Sequence, residues 1–222
     1  MIDPKVESAV EAALEAFTKY STFNATPFIE VFKEAFASEE DFLTKVDLLD
    51  EVFDDYPKLE ELREVFFDLL MVNFFSADIK KLEEDYLDST EWEDIEEETL
   101  DRGTELLNLL LYLNECEEEE IVPELDDYLK EFLLVDEDEF QDEYNIYEPV
   151  IAHQVLMESP VEEISKVAER LPEDSELKEL FYPVMCFFHN TNPSEAAKSE
   201  IAECALNKEF DMAVMEILLN FK

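Results

Sequence analysis

Asp3-Pro4-Lys5-Val6-Glu7-Ser8-Ala9-Val10-Glu11-Ala12-Ala13-Leu14-Glu15-Ala16-Phe17 is the stretch whose reading decides the fold class. Pro4 follows Asp3, and proline suits a first helical position because the N–H it lacks has no partner there. Val6, Val10, Ala13, Leu14 and Phe17 then recur three and four apart, which puts them on one face of a helix.

The same signature returns along the chain. Thr26-Pro27 opens a second helix with Phe28, Val31, Phe32 and Phe36 facing inward. Ser38-Glu39-Glu40-Asp41 reads as a capping box for a third, striped by Phe42, Val46, Leu49 and Phe53. Tyr56-Pro57 starts a fourth through Leu59, Leu62, Phe66, Leu69 and Leu70. A short helix is expected over Ala77 to Leu87. Ser89 or Thr90 then caps a long one running through Trp92, Ile95 and Leu100 to Leu113. Its second half, with Leu106, Leu107, Leu109, Leu110, Leu111 and Leu113, is apolar nearly all round, which places it centrally. Pro123 begins a helix carrying Leu125, Tyr128, Leu129, Phe132 and Leu133.

Gly103 is the only glycine in 222 residues. Hairpins and bulges draw on glycine for positive φ, so a multi-stranded β protein is disfavoured. The expected fold class is all-α, a multi-helix antiparallel array. Residues 1–222 read as one domain, with 1–88 and 89–222 as the alternative subdivision. In the C-terminal third, Tyr147-Glu148-Pro149-Val150 resembles Phe181-Tyr182-Pro183-Val184, and Ser159-Pro160-Val161-Glu162 resembles Asn192-Pro193-Ser194-Glu195. A spacing of about 34 residues suggests an α-α superhelix of helix-turn-helix repeats there. The alternative is an irregular helical bundle.

Charge dominates the composition. Sixty-one acidic residues face 16 basic ones, for a net charge of −45. Between Glu83 and Glu143 lie 27 acidic residues against Arg102 and Lys130, more than half the excess. Packing like charges so closely costs repulsion that solubility alone does not require. The candidate partner-binding residues are therefore Glu91, Trp92, Glu93, Asp94, Glu96, Glu97 and Glu98, then Glu117, Glu118, Glu119 and Glu120, then Asp136, Glu137, Asp138 and Glu139. Trp92 is included because tryptophan anchors interfaces, although a helix-borne tryptophan more often packs on its neighbours.

Several function classes are excluded or disfavoured. One glycine rules out the dinucleotide fingerprint, the P-loop and the nucleophile elbow as usually written. The residues before Gly103 do not fit a calcium loop. Cys186, His189, Cys204 and His153 are the weak metal candidates, as a Cys₂His₂ zinc set, and Cys186 with His189 could pair as nucleophile and base. The stronger reading makes Cys186 a small apolar residue among Val184, Met185, Phe187 and Phe188, and His189 a helix-end residue. No cofactor or metal is expected. Cys116, Cys186 and Cys204 form no disulfide framework. The start lacks a signal peptide, and Val65 to Phe75 is too short to span a bilayer, so a cytoplasmic protein without membrane contact is expected. The same negative charge disfavours direct nucleic-acid binding.

The leading expectation is thus a non-enzymatic interaction protein whose acidic helical surface binds a basic protein, as escort, inhibitor or nucleic-acid mimic. The alternatives are a helical-repeat scaffold with a peptide-binding apolar groove, its acidity serving solubility, and an enzyme with a carboxylate site. Oligomeric state is left open by the sequence.

Overall fold

The computed structural model describes the backbone of residues 2–77, 86, 89–132 and 139–222, and the side chains of 2–76, 86, 89–130 and 144–222. Among them are twelve α-helices and no strand. They are α1 (Pro4–Tyr20), α2 (Ile29–Ala37), α3 (Phe42–Asp55), α4 (Arg63–Ala77), α5 (Thr90–Glu98), α6 (Leu106–Glu118), α7 (Leu125–Phe132), α8 (Glu139–Ala152), α9 (Val161–Arg170), α10 (Phe181–His189), α11 (Glu195–Cys204) and α12 (Lys208–Phe221). The helix expected over Ala77 to Leu87 falls almost wholly outside the described residues, as do Leu133 and the acidic positions Asp136, Glu137 and Asp138. No helix among the described residues is long and apolar enough to cross a membrane.

Local chemistry sets the helix ends. The Asp3 carboxylate accepts from the N–H groups of Lys5 and Val6 at 2.8 and 3.4 Å, satisfying two orphan donors at the start of α1. At α3 the capping residue is Asp41, not Ser38. Asp41 accepts from the Thr44 N–H at 2.8 Å, while Ser38 accepts from Glu40 in a tight turn just before it. Pro27 and Pro57 each open a single stretch of 3₁₀ helix, Thr26–Phe28 and Pro57–Leu62, which leads into α2 and α4.

The striped face of α1 is buried at Val6, Val10, Ala13, Leu14 and Phe17. It lies along α12, the most extensive helix pair among the described residues. α12 is enclosed nearly all round, with Phe210, Met212, Val214, Met215, Ile217 and Leu218 buried. First and last helices are neighbours, which closes the array as a bundle does; units of an open solenoid touch only adjacent units. In the C-terminal third, α10 packs on α8, α9 and α12, and α9 also packs on α11. Pro149 sits in the last turn of α8 and Pro183 in the first turn of α10, so the first matched motif pair occupies opposite helix ends. The second pair marks two helix starts, at Pro160 before α9 and Ser194 before α11.

The long helix expected from Ser89 to Leu113 is two helices. α5 ends at Glu98 and α6 begins at Leu106. Gly103 takes φ +84° between them, a left-handed conformation that glycine adopts without strain. The break is held from α4. Thr104 donates its N–H to the buried Asp68 carboxyl at 2.9 Å and its hydroxyl to the same group at 2.5 Å. The Gly103 N–H donates to Glu64 at 2.7 Å. Arg102 forks onto Asp50 at 2.8 and 3.0 Å and lies over the Phe67 ring. α6 then packs on α4 and α12, with Leu106, Leu109, Leu110 and Leu113 buried, which is the central placement its all-round apolar pattern predicts.

Candidate functional site

α5 carries the first acidic run on a helix with one anchored side. Ile95 is buried, and the half-buried Trp92 ring sits 5.5 Å from Phe75 and 6.3 Å from Tyr86. Glu91, Glu93, Asp94, Glu96, Glu97 and Glu98 are exposed. No cation among the described residues pairs with any of the six. Trp92 therefore fastens this helix to α4 and leaves its carboxylates to solvent.

The second run ends α6 in an unusual turn. The Ile121 N–H donates to the Cys116 carbonyl at 2.9 Å and the Glu120 N–H to the Glu117 carbonyl at 3.1 Å, the paired bonds of a Schellman cap. That cap needs a left-handed residue, usually glycine. Here Glu120 fills it at φ +57°. The turn displays Glu118, Glu119 and Glu120 to solvent, without ion-pair partners among the described residues, while Glu117 pairs with Lys5. Ile121 and Val122 follow, 46% and 70% exposed. The pair was legible as two apolar residues between an acidic run and Pro123. Its exposure follows from its position beyond the helix end.

The two runs flank α4. Trp92 rests on Phe75, whereas Lys5, the partner of Glu117, follows a helix start whose Asp3 N–H donates to Asn73 at 2.8 Å. Residues 73 and 75 lie about 200° apart around a helix, so their contacts leave α4 on opposite sides. Among the described residues the acidic middle is thus carried by two separate segments, α5 and the turn after α6. The Glu139 side chain and positions 136–138 lie outside them. The two cations of this region are both engaged, Arg102 with Asp50 and Glu64 and Lys130 with Asp127.

A third feature lies between α2 and α3. Phe32 packs on Phe53 and Phe66 at 5.1 and 4.7 Å, which sets the two helices apart over an aromatic base. Above it is an open groove of about 500 Å³. Val31, Ala35, Leu48, Val52 and Tyr56 give it an apolar lining, of which Ala35 and Val52 are buried; Ser38 and the exposed Glu34, Glu51 and Asp55 complete it as its polar rim. Val31, which the helical spacing places inward, is 38% exposed. It stands one residue off the Phe32–Ala35–Phe36 stripe and faces the groove instead of the core.

Of the four cysteine and histidine candidates, Cys186 and Cys204 lie within electrostatic reach of each other, and Cys186 bonds with Tyr182. Cys186 is fully buried, and burial pushes its thiol up to about 12, far from the thiolate that nucleophilic or metal chemistry requires. The His189 Nε2 faces the Ser159 carbonyl at 2.9 Å, and the His153 Nδ1 faces that of Pro149 at 2.7 Å. Cys204 is half-buried, and its backbone carbonyl accepts from Ser165. Among the described residues no group of three or more His, Cys, Asp or Glu is arranged to hold a metal ion. Among the described residues two carboxyls are buried: burial pushes Asp68 up to about 8 and Asp211 up to about 7. Each accepts backbone N–H bonds in a cap or turn, Asp68 from Thr104 and Asp211 from Asn207. Their bonding is that of structural groups. No protein-family model matches the chain, and neither a curated protein nor a solved structure matches it.

Proposed function

We propose that this chain is a non-enzymatic interaction protein that binds a basic protein through its exposed carboxylates. The observation that carries this reading is the turn after α6. Glu120 occupies a left-handed position that costs a side chain about 1 kcal/mol relative to glycine. The carboxylate kept at that cost stands beside two other unpaired glutamates and the exposed Ile121 and Val122. Apolar contact ringed by charge is the composition of an interaction surface rather than of a solvated face. The α5 run adds six exposed carboxylates without ion-pair partners among the described residues.

The sign of the charge narrows the partner. Phosphate backbones and anionic membrane surfaces would be repelled, and a protein rich in Lys and Arg would be drawn in. The cytoplasm is the compartment this reading assumes. The test replaces Glu118, Glu119 and Glu120 by Gln and compares capture from cell extract at low and physiological salt. The reading expects partners that are lost with the substitutions and weakened by salt. Capture that is indifferent to both would refute it.

A further inference from the structure

We propose that the groove between α2 and α3 is a second docking site, and that its occupant is an amphipathic, basic helix of a protein partner. The apolar lining offers what such a helix would bury. Val31 is 38% exposed, Leu48 and Tyr56 are half-buried, and Ala35 and Val52 are buried. Two parallel or antiparallel walls of helix accept a third helix through anchors spaced three and four residues apart, and the Phe32–Phe53–Phe66 contacts hold these walls in place before anything binds.

The rim fixes the sign of the partner. Glu34, Glu51 and Asp55 are exposed, and none has an ion-pair partner among the described residues. Among the described residues no Lys or Arg lines the groove. The nearby Lys33 is committed to the opposite side of α2, where it pairs with Glu7 and Glu11 of α1. Lys45 is turned to the end of α2, where it donates to the Phe36 carbonyl. A bound helix with Leu-like anchors below and Lys or Arg at its flanks would therefore meet the apolar lining and unneutralised carboxylates at once. A second copy of this chain is a poor occupant, because it would bring more negative charge to a rim that is already negative. The groove lies on helices other than those that carry the two acidic segments, so this site stands or falls separately; it shares with the proposed function only the sign of the partner's charge.

The experiment uses the full chain and two labelled probes: a helical peptide with leucines on one face and lysines on the other, and an oligolysine of equal charge. The amphipathic peptide is expected to bind about tenfold more tightly, the worth of burying one aliphatic anchor. Val31→Asn and Leu48→Asn should each remove most of that advantage and leave the oligolysine affinity unchanged. Thermal melts of both variants confirm that they fold. Hydrogen exchange should show the peptide protecting residues 31–38 and 48–56. Equal affinities for the two probes, an advantage that survives both substitutions, or protection confined to residues 90–98 and 117–122 would overturn the site. So would a dimer of the unliganded chain that Val31→Asn dissolves. An oligolysine that does not bind at all would overturn the basic character assigned to the occupant.

Discussion

Replacing Asp68 with asparagine probes how the break between α5 and α6 is held. The carboxyl is fully buried on α4. Burial pushes its pKa from 3.8 to about 8; the bonds from Thr104 oppose that rise, and the Glu64 and Glu105 charges add to it. The folded state thus keeps a proton that the unfolded chain has released, from about pH 4 to about pH 8. A group whose folded pKa is raised contributes its full stability below the unfolded pKa and loses it as pH climbs to the folded one. Stability should therefore fall by about 1.4 kcal/mol per pH unit through the window, on the order of 5 kcal/mol in all. Asparagine is neutral throughout, and its oxygen can still accept from the Thr104 N–H. Urea unfolding of both proteins at fixed ionic strength isolates this effect, because the repulsion of the other carboxylates and the titration of Asp211 are common to the two. The variant should gain on the parent protein steadily between about pH 5 and about pH 7. A stability difference that does not change with pH would refute the reasoning.

Three further outcomes follow from the same geometry. Gly103→Ala should lose about 2–3 kcal/mol by urea unfolding, because φ is +84° there and a Cβ would fall 2.7 Å from the Asp68 carboxyl oxygen. Glu120→Gly should gain about 1 kcal/mol, since glycine fits the left-handed cap; a loss would mean that the turn carries no strain. The melting temperature should rise by a few degrees as salt goes from about 10 mM to about 150 mM, because screening relieves the repulsion of a chain at −45. An unchanged melting temperature would show that repulsion does not limit the fold.

The helical class and most inward stripes were legible, because three-and-four spacing is a local property. Val6 to Phe17 on α1 and Phe42 to Phe53 on α3 are buried as their spacing implies. The break at Gly103 was not legible, because it is held by Asp68 and Glu64, more than thirty residues upstream. The enclosure of α12 was not legible for a different reason. Its burial at Phe210 to Met215, Asp211 included, comes from packing against α1, α6, α10 and α11 together, which no local spacing announces. For the candidate site, the exposure of the acidic runs was readable from composition, and the anchoring role of Trp92 only from its contact with Phe75. The groove could not be read at all. Val31 and Leu48 belong to different helices, and only the packing of Phe32 on Phe53 brings their exposed faces together.

The central claim is that the unpaired carboxylates of α5 and of the turn after α6 are where a basic partner rests. Zero-length carbodiimide crosslinking tests it most directly, since the reagent joins a carboxylate only to an amine in contact with it. With the full chain in cell extract, followed by peptide mass spectrometry, the account predicts that crosslinks to partner lysines concentrate at residues 91–98 and 118–120. Crosslinks spread evenly over all exposed carboxylates, or absent from these two stretches, would contradict it.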